Sequence, residues 1–234
     1  MTEPPLSVSF FDPDRQIYGT ARAGATMLFE DRKPVALEGP SIEREGDRVR
    51  ASLPERFSLE LEPVSEEVDL AGLAVRVCNV RGEAAGKSVD CLGTLAETRT
   101  PPAWDELDAI RSISVLLDAE NALLAVARRP RAALGHGDEL VSAALLQAGE
   151  LLSVEEARIS TVYDKDGRQR SAGLELWLPG EDFPRRGSGT VVAGSSLELE
   201  GLLVHAAVFQ WRLEEREGIG AYEVMVRNGT PTAA

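Results

Sequence analysis

Ala157-Arg158-Ile159-Ser160-Thr161-Val162-Tyr163, then Asp164-Lys165-Asp166-Gly167-Arg168, then Gly173-Leu174-Glu175-Leu176-Trp177-Leu178: this stretch decides the fold class. β-Forming residues alternate with polar ones on both arms, and the Asp-Gly pair between them supplies the turn that joins antiparallel strands. A second hairpin follows, in which Leu202 to Leu213 is a long apolar strand, Glu214 to Gly218 a polar turn and Ile219 to Val226 the returning strand. The last third of the chain is therefore predicted to be a closed or sandwiched antiparallel sheet.

Working outward, Val8-Ser9-Phe10-Phe11, a turn at Asp12-Pro13-Asp14-Arg15 and Ile17-Tyr18-Gly19-Thr20-Ala21-Arg22 form another hairpin. Phe57-Ser58-Leu59-Glu60-Leu61-Glu62 alternates as a half-buried strand requires. Pro101-Pro102 removes ladder donors, so a boundary is expected there, with one β unit over residues 1–100 and a second over 108–234. Ile110 to Leu117, a turn at Asp118-Ala119-Glu120-Asn121 and Ala122 to Ala127 repeat the opening layout. The stretch 138–157 is ambiguous, because Leu140, Ala143, Ala144, Leu145, Leu151 and Leu152 also suit a helix of about 3.6 residues per turn. Gly149 and the flanking strands assign it to strands, with the helix left as the alternative.

The 234 residues carry 39 acidic and 25 basic side chains, a net charge of −14 that repels phosphate backbones and anionic lipid heads. With only 5% aromatic residues and no local basic cluster, no nucleic-acid partner is expected. Arg128-Arg129 and Arg185-Arg186 read as turn or edge-strand charges. Apolar runs such as Leu202 to Phe209 fall short of the roughly 18 residues of a spanning helix. The N-terminus lacks the basic and apolar regions of a secretory signal, so a cytoplasmic protein is expected. Cys78 and Cys91 are read as free thiols.

Candidate ligand-binding residues come from face assignment. Odd positions of the strand through Leu203 to Leu213 place His205, Phe209 and Trp211 in one row, with successive members roughly 6–7 Å apart. An imidazole among apolar groups could act as a base or a hydrogen-bond partner, or simply be a core histidine satisfied by a neighbour. Glu175 and Trp177 share the other face of their strand from Leu174 and Leu176, and a buried Glu175 could protonate an alkene. Tyr163 and Tyr222 could point their hydroxyls into the same space. His136 in Gly135-His136-Gly137-Asp138 has a single other histidine to help it, so no metal is expected. Arg185-Arg186-Gly187-Ser188-Gly189-Thr190 lacks the ending of a phosphate loop, and Ser188 lacks a nucleophile elbow.

Phe11-Asp12-Pro13-Asp14 before Tyr18-Gly19, Val162-Tyr163-Asp164-Lys165-Asp166-Gly167-Arg168, and Phe209-Gln210-Trp211-Arg212 before Gly218-Ile219-Gly220-Ala221-Tyr222-Glu223 occur in an order that resembles the tandem lipocalin-like proteins. That group includes carotenoid hydratase (hydroxyneurosporene synthase) and the AttH-like proteins. The resemblance implies an all-β chain of two lipocalin-like antiparallel barrels or half-barrels packed together, with a site for a hydrophobic small molecule and no cofactor. The His/Asp/Trp-rich junction associated with chemistry in that group is replaced here by Val89-Asp90-Cys91-Leu92-Gly93-Thr94-Leu95 and Pro101-Pro102-Ala103-Trp104, so no catalytic residue is carried over.

The expected function is binding of a small apolar or amphipathic molecule in a barrel or inter-unit cavity. The alternatives are a cofactor-independent hydratase or isomerase acting on a prenyl-like or other hydrophobic substrate, and a cavity-less interaction module; a homodimer is left open.

Overall fold

Apolar residues in this chain run continuously where a strand has both faces covered and alternate where one face meets solvent, and the two patterns divide the structure. The structure, a computed structural model, describes residues 4–131, 133 and 136–227. The first sheet takes β1 (Leu6–Asp12), β2 (Ile17–Arg22), β3 (Ala25–Glu30), β4 (Lys33–Leu37) and β5 (Ser41–Glu45). It continues with β6 (Arg48–Leu53), β7 (Phe57–Pro63), the two-residue β8 (Val68–Asp69), β9 (Leu73–Ala84) and β10 (Lys87–Thr98). The second sheet takes β11 (Leu107–Asp118), β12 (Asn121–Pro130), β13 (Leu140–Gln147), β14 (Glu150–Ser153) and β15 (Glu156–Tyr163). It ends with β16 (Gln169–Trp177), β17 (Arg185–Leu199), β18 (Leu202–Leu213) and β19 (Arg216–Arg227).

Both sheets are antiparallel and curl into half-barrels. The first has the order β4-β3-β2-β1-β10-β9-β7-β6-β5 with β8 on β9, the second β14-β13-β12-β11-β19-β18-β17-β16-β15. Counted from its own first strand, each sheet has the same order once β8 is set aside. In both, the first strand pairs with the last, β1 with β10 and β11 with β19.

Each half-barrel fills its own concave face. Val8, Phe10, Ile17, Leu28, Leu59 and Val80 pack inside the first. Ile113, Leu123, Leu174, Phe209, Trp211 and Tyr222 pack inside the second. The convex faces meet back to back through Phe11, Tyr18, Met27, Phe29 and Val77 of one sheet and Ile110, Leu116, Leu124, Val126 and Val208 of the other. Burying each large apolar side chain in such layers contributes about 1.5–3 kcal/mol.

The burial explains the ambiguous stretch. Ala144, Leu145 and Leu146 are consecutive and all buried, Leu145 on the concave core and its neighbours on the convex interface. Two covered faces hide the period of two, and residues 140–147 and 150–153 are strands, not the helix kept as the alternative. In the closing hairpin the return starts at Arg216, because the Leu213·Arg216 pair leaves Glu214 and Glu215 as the whole turn and Gly218 lies inside β19. The Asp-Gly hairpin forms as expected, with Gly167 at φ 76° and Asp164 Oδ1 accepting the amides of Asp166 and Arg168.

Two glycines make room for aromatic rings on the concave faces. A Cβ on Gly19 would stand 2.4 Å from the Phe10 ring, and one on Gly189 would stand 2.4 Å from the Trp211 indole. In both, the ring belongs to the residue paired with the glycine on the neighbouring strand. Gly189→Ala is expected to displace Trp211 and cost roughly 1–3 kcal/mol, read from urea unfolding and a shift in tryptophan emission. An unchanged midpoint would show that the ring has room to move.

Candidate functional site

The convex faces do not close on each other everywhere. Between β1, β2 and β10 on one side and β11, β12 and β19 on the other lies a cavity of about 150 Å³. Its apolar wall includes Leu70, Leu73, Val75, Leu124, Val126 and Met225, and its polar wall includes Ser9, Thr20, Arg22, Thr94, Ser112, Ser114 and Glu223. The polar residues follow from strand parity: Ser9 and Thr94, like Ser112 and Glu223, are cross-strand partners whose side chains fall on the convex face.

Several of the polar groups that border the cavity answer one another or the backbone, as groups held away from water require. Ser9 Oγ and Thr94 Oγ1 share a hydrogen bond of 2.6 Å, and Ser114 Oγ accepts the Ala221 amide at 3.0 Å. Arg22 Nη2 donates to Glu223 Oε2 at 2.5 Å, joining the first half-barrel to the second across the interface. The Glu223 side chain is 9% exposed and that of Arg22 23%. Among the described residues the other guanidinium arm, Nη1, meets the Met225 sulfur at 3.7 Å, a weak acceptor.

A second polar cluster sits inside the second half-barrel. Arg111, 2% exposed, donates to Thr161 Oγ1 at 3.0 Å, to the Tyr222 hydroxyl at 3.1 Å and to the Ile159 carbonyl at 3.3 Å. Nη2, which serves the Ile159 carbonyl, is also paired with the buried carboxylate of Glu139, which accepts from Arg129 Nε at 3.0 Å as well. Burial pushes the Tyr222 phenol up to about 12 against the pull of Arg111. This cluster ties the central strand β11 to the edge strand β15. Arg111→Met removes one of the counter-charges of Glu139, with Arg129 still in place, and takes a donor from Thr161 and Tyr222; it is expected to cost about 1–3 kcal/mol in urea unfolding, and an unchanged midpoint would show that the cluster adds nothing.

The residues singled out from sequence separate into two groups. Phe209, Trp211 and Tyr222 stack in the concave core, with ring centroids 5.2, 5.4 and 6.4 Å apart. His205 is 2% exposed, and its Nδ1 meets Ser196 Oγ at 2.7 Å. Gln169 Nε2 donates to the carbonyls of both His205 and Tyr222 at 3.1 Å. Tyr163, half-buried, lies close enough to influence the Tyr222 phenol.

Glu175 and Trp177 lie on the opposite face of the second sheet. Glu175 pairs with Arg186 at 3.3 Å, and Arg158 sits 4.8 Å over the Trp177 ring. Glu175 borders an open groove of about 970 Å³ along β15, edged also by Glu156, Arg158 and Arg186. Glu175 and His205 therefore do not converge on one space. Arg185 to Thr190 opens β17 as ordinary strand, and Cys78 and Cys91 are free, their thiols pushed up to about 12 by burial. His136 begins a short turn of 3-10 helix, and its side chain lies outside the described residues.

Arg22, Glu223, Arg111 and Glu139 escaped the sequence reading. The signal for the cavity was Ser112-Ile113-Ser114, two hydroxyls on one face of a strand interior between Ile110 and Leu116.

Two curled sheets of identical strand order, packed back to back, have solved counterparts. An AttH-like protein from Nitrosomonas europaea superposes with a TM-score of 0.65 at 15% identity, over 95% of this chain and 92% of its own. Kievitone hydratase from Nectria haematococca gives 0.61 at 11% identity, over 97% and 90%. CghA gives 0.67 at 11% identity, over 98% and 88%, and has also been solved with Sch210972. This chain has their fold. No protein-family model matches the sequence, and no curated relative matches it significantly. At such identities the likeness carries the tandem lipocalin-like architecture and leaves the chemistry to the residues present. Among the described residues no helix is long and apolar enough to cross a membrane.

Burial lowers the His205 pKa from its ordinary value of 6.5, with Arg168 adding to the effect and Asp164 opposing it. The unfolded chain thus takes up the proton first as pH falls, so stability is full above about 6.5 and declines below it toward the lowered folded value. Urea midpoints between pH 7 and pH 5 should fall less steeply in His205→Phe than in the wild type; parallel slopes would remove His205 from the account.

Proposed function

We propose that the protein binds a small amphipathic molecule in the cavity between its two half-barrels. The observation that carries this reading is the cavity's composition, an apolar lining joined by a partly buried ion pair and several hydroxyls. Ligand sites have this character, mostly apolar with a few convergent polar groups. The volume of about 150 Å³ sets the size class. It lies below the roughly 300–1,000 Å³ of drug-sized sites, and suits a single ring or a short chain. The apolar body would rest on Leu124, Val126 and Met225, and the polar end would face Arg22 and the hydroxyls.

A second reading, a hydratase or isomerase acting on a hydrophobic substrate, is favoured by the Glu223 carboxylate in the cavity wall. One of the solved counterparts being a hydratase is consistent with it.

Cyclohexanone, cyclohexanol, 2-heptanone and hexanoate are suitable probes, titrated while the methyl resonances of Leu124, Val126 and Met225 are followed by NMR. Saturable shifts at those methyls are expected for at least one probe, with loss of binding by tenfold or more in Val126→Trp, whose indole would occupy the space. Methyl resonances that stay in place with every probe would overturn the reading.

A further inference from the structure

We infer that Glu223 is a base that removes a proton from the carbon next to a carbonyl group, and that the ligand of the inter-barrel cavity is a small ketone or enone. The inference rests on the cavity being a binding site and adds to it a reaction and a substrate class.

The first argument is the ion pair. Glu223 Oε2 meets Arg22 Nη2 at 2.5 Å, and the Glu223 side chain is 9% exposed. Protonating that carboxyl would dissolve the pair and leave the guanidinium without its counter-charge. Taking a proton from the carbon next to a carbonyl avoids that cost, because the enolate formed in the same step replaces the carboxylate as the counter-charge of Arg22; an acid waiting to protonate an alkene has no such replacement. A largely buried carboxylate is also a costly way to fill an interface, since apolar residues of similar volume are often as stable or more so.

The second argument is the internal symmetry. The hairpin β9–β10 closes at Ala84·Lys87 and the hairpin β18–β19 at Leu213·Arg216. Seven residues beyond Lys87 stands Thr94, and seven beyond Arg216 stands Glu223. Thr94 faces Ser9 across its strand pair, and Glu223 faces Ser112 across the corresponding one. In the first half the position is met by a hydroxyl bonded to a hydroxyl at 2.6 Å. Packing at this place does not require a charge, yet the second half carries a carboxylate with a guanidinium brought from the opposite sheet.

The third argument is the donor that the pair leaves over. Arg22 Nη1 rests against the Met225 sulfur at 3.7 Å, a contact that a carbonyl oxygen would readily replace. In the reaction the carboxylate takes the α-proton. The C–H electron pair becomes the enolate C=C bond, and the carbonyl π pair moves to oxygen, where the Arg22 N–H stabilises the charge. Return of the proton to the same carbon exchanges it with solvent, and return to the vinylogous carbon shifts a double bond. Neither outcome consumes a co-reactant.

The test uses the full chain in D2O with cyclohexanone, 2-heptanone and 3-cyclohexenone, following α-deuteration and double-bond migration by 1H NMR. Binding is read in parallel from the Met225, Leu124 and Val126 methyls. The expected result is saturable exchange or isomerisation above buffer, reduced by about 10²-fold or more in Glu223→Gln with probe binding retained. Glu223→Thr, which restores the residue of the first half, should do the same, and serves if the glutamine variant fails to fold. Binding without exchange, or exchange untouched by both variants, would overturn the assignment of Glu223 and leave the binding site standing. Absence of binding would overturn both.

Discussion

The architecture depends on strands that are buried on both faces. β1 and β10 in one half and β11 and β19 in the other each carry a concave core on one side and the other half-barrel on the opposite side. A polar side chain on such a strand has nowhere to find water, so it must be answered from a neighbouring strand or from across the interface. Ser9 is answered by Thr94, Ser114 by a backbone amide, and Glu223 by an arginine of the other sheet. The same rule operates on the concave side, where Arg111 gathers a carboxylate, a phenol, a hydroxyl and a carbonyl around one guanidinium.

The two halves use one topology for different interiors. The concave face of the first is apolar throughout its core cluster, closed by Phe10, Phe57 and aliphatic side chains. That of the second combines an aromatic stack with the Arg111 and Glu139 pair and the His205 and Ser196 contact. The interior of the first half is filled by apolar side chains, while that of the second adds directional contacts that tie β15 to β11.

Much of this was legible in local sequence. The Asp-Gly turn at residue 167 and the apolar run Leu202–Leu213 carry their own structural rules, and the parity of that run put His205, Phe209 and Trp211 on the face they occupy. Parity does not say which face of a strand meets solvent, and Glu175 with Trp177 turned outward. The stretch around Leu140 was obscured because alanine and leucine suit a helix intrinsically, while covered faces on both sides removed the alternation that would have marked a strand. The inter-barrel pair was beyond local reading altogether: Arg22 and Glu223 are 201 residues apart, and only the docking of two sheets makes them neighbours.

The closure of each half by its own first and last strands has a consequence for synthesis. The Ser9 and Thr94 contact spans 85 residues and the Arg111 and Tyr222 contact 111. A ribosome releases β1 long before its partner exists, and the convex face of that strand waits longer still, for the second half to be made. Contacts of such sequence separation slow folding and leave apolar edges exposed meanwhile. The nascent chain therefore depends on its hairpins to hold local order until the last strand of each half arrives. Truncation within β19 would open the second half along its centre, between β11 and β18, and not at its margin.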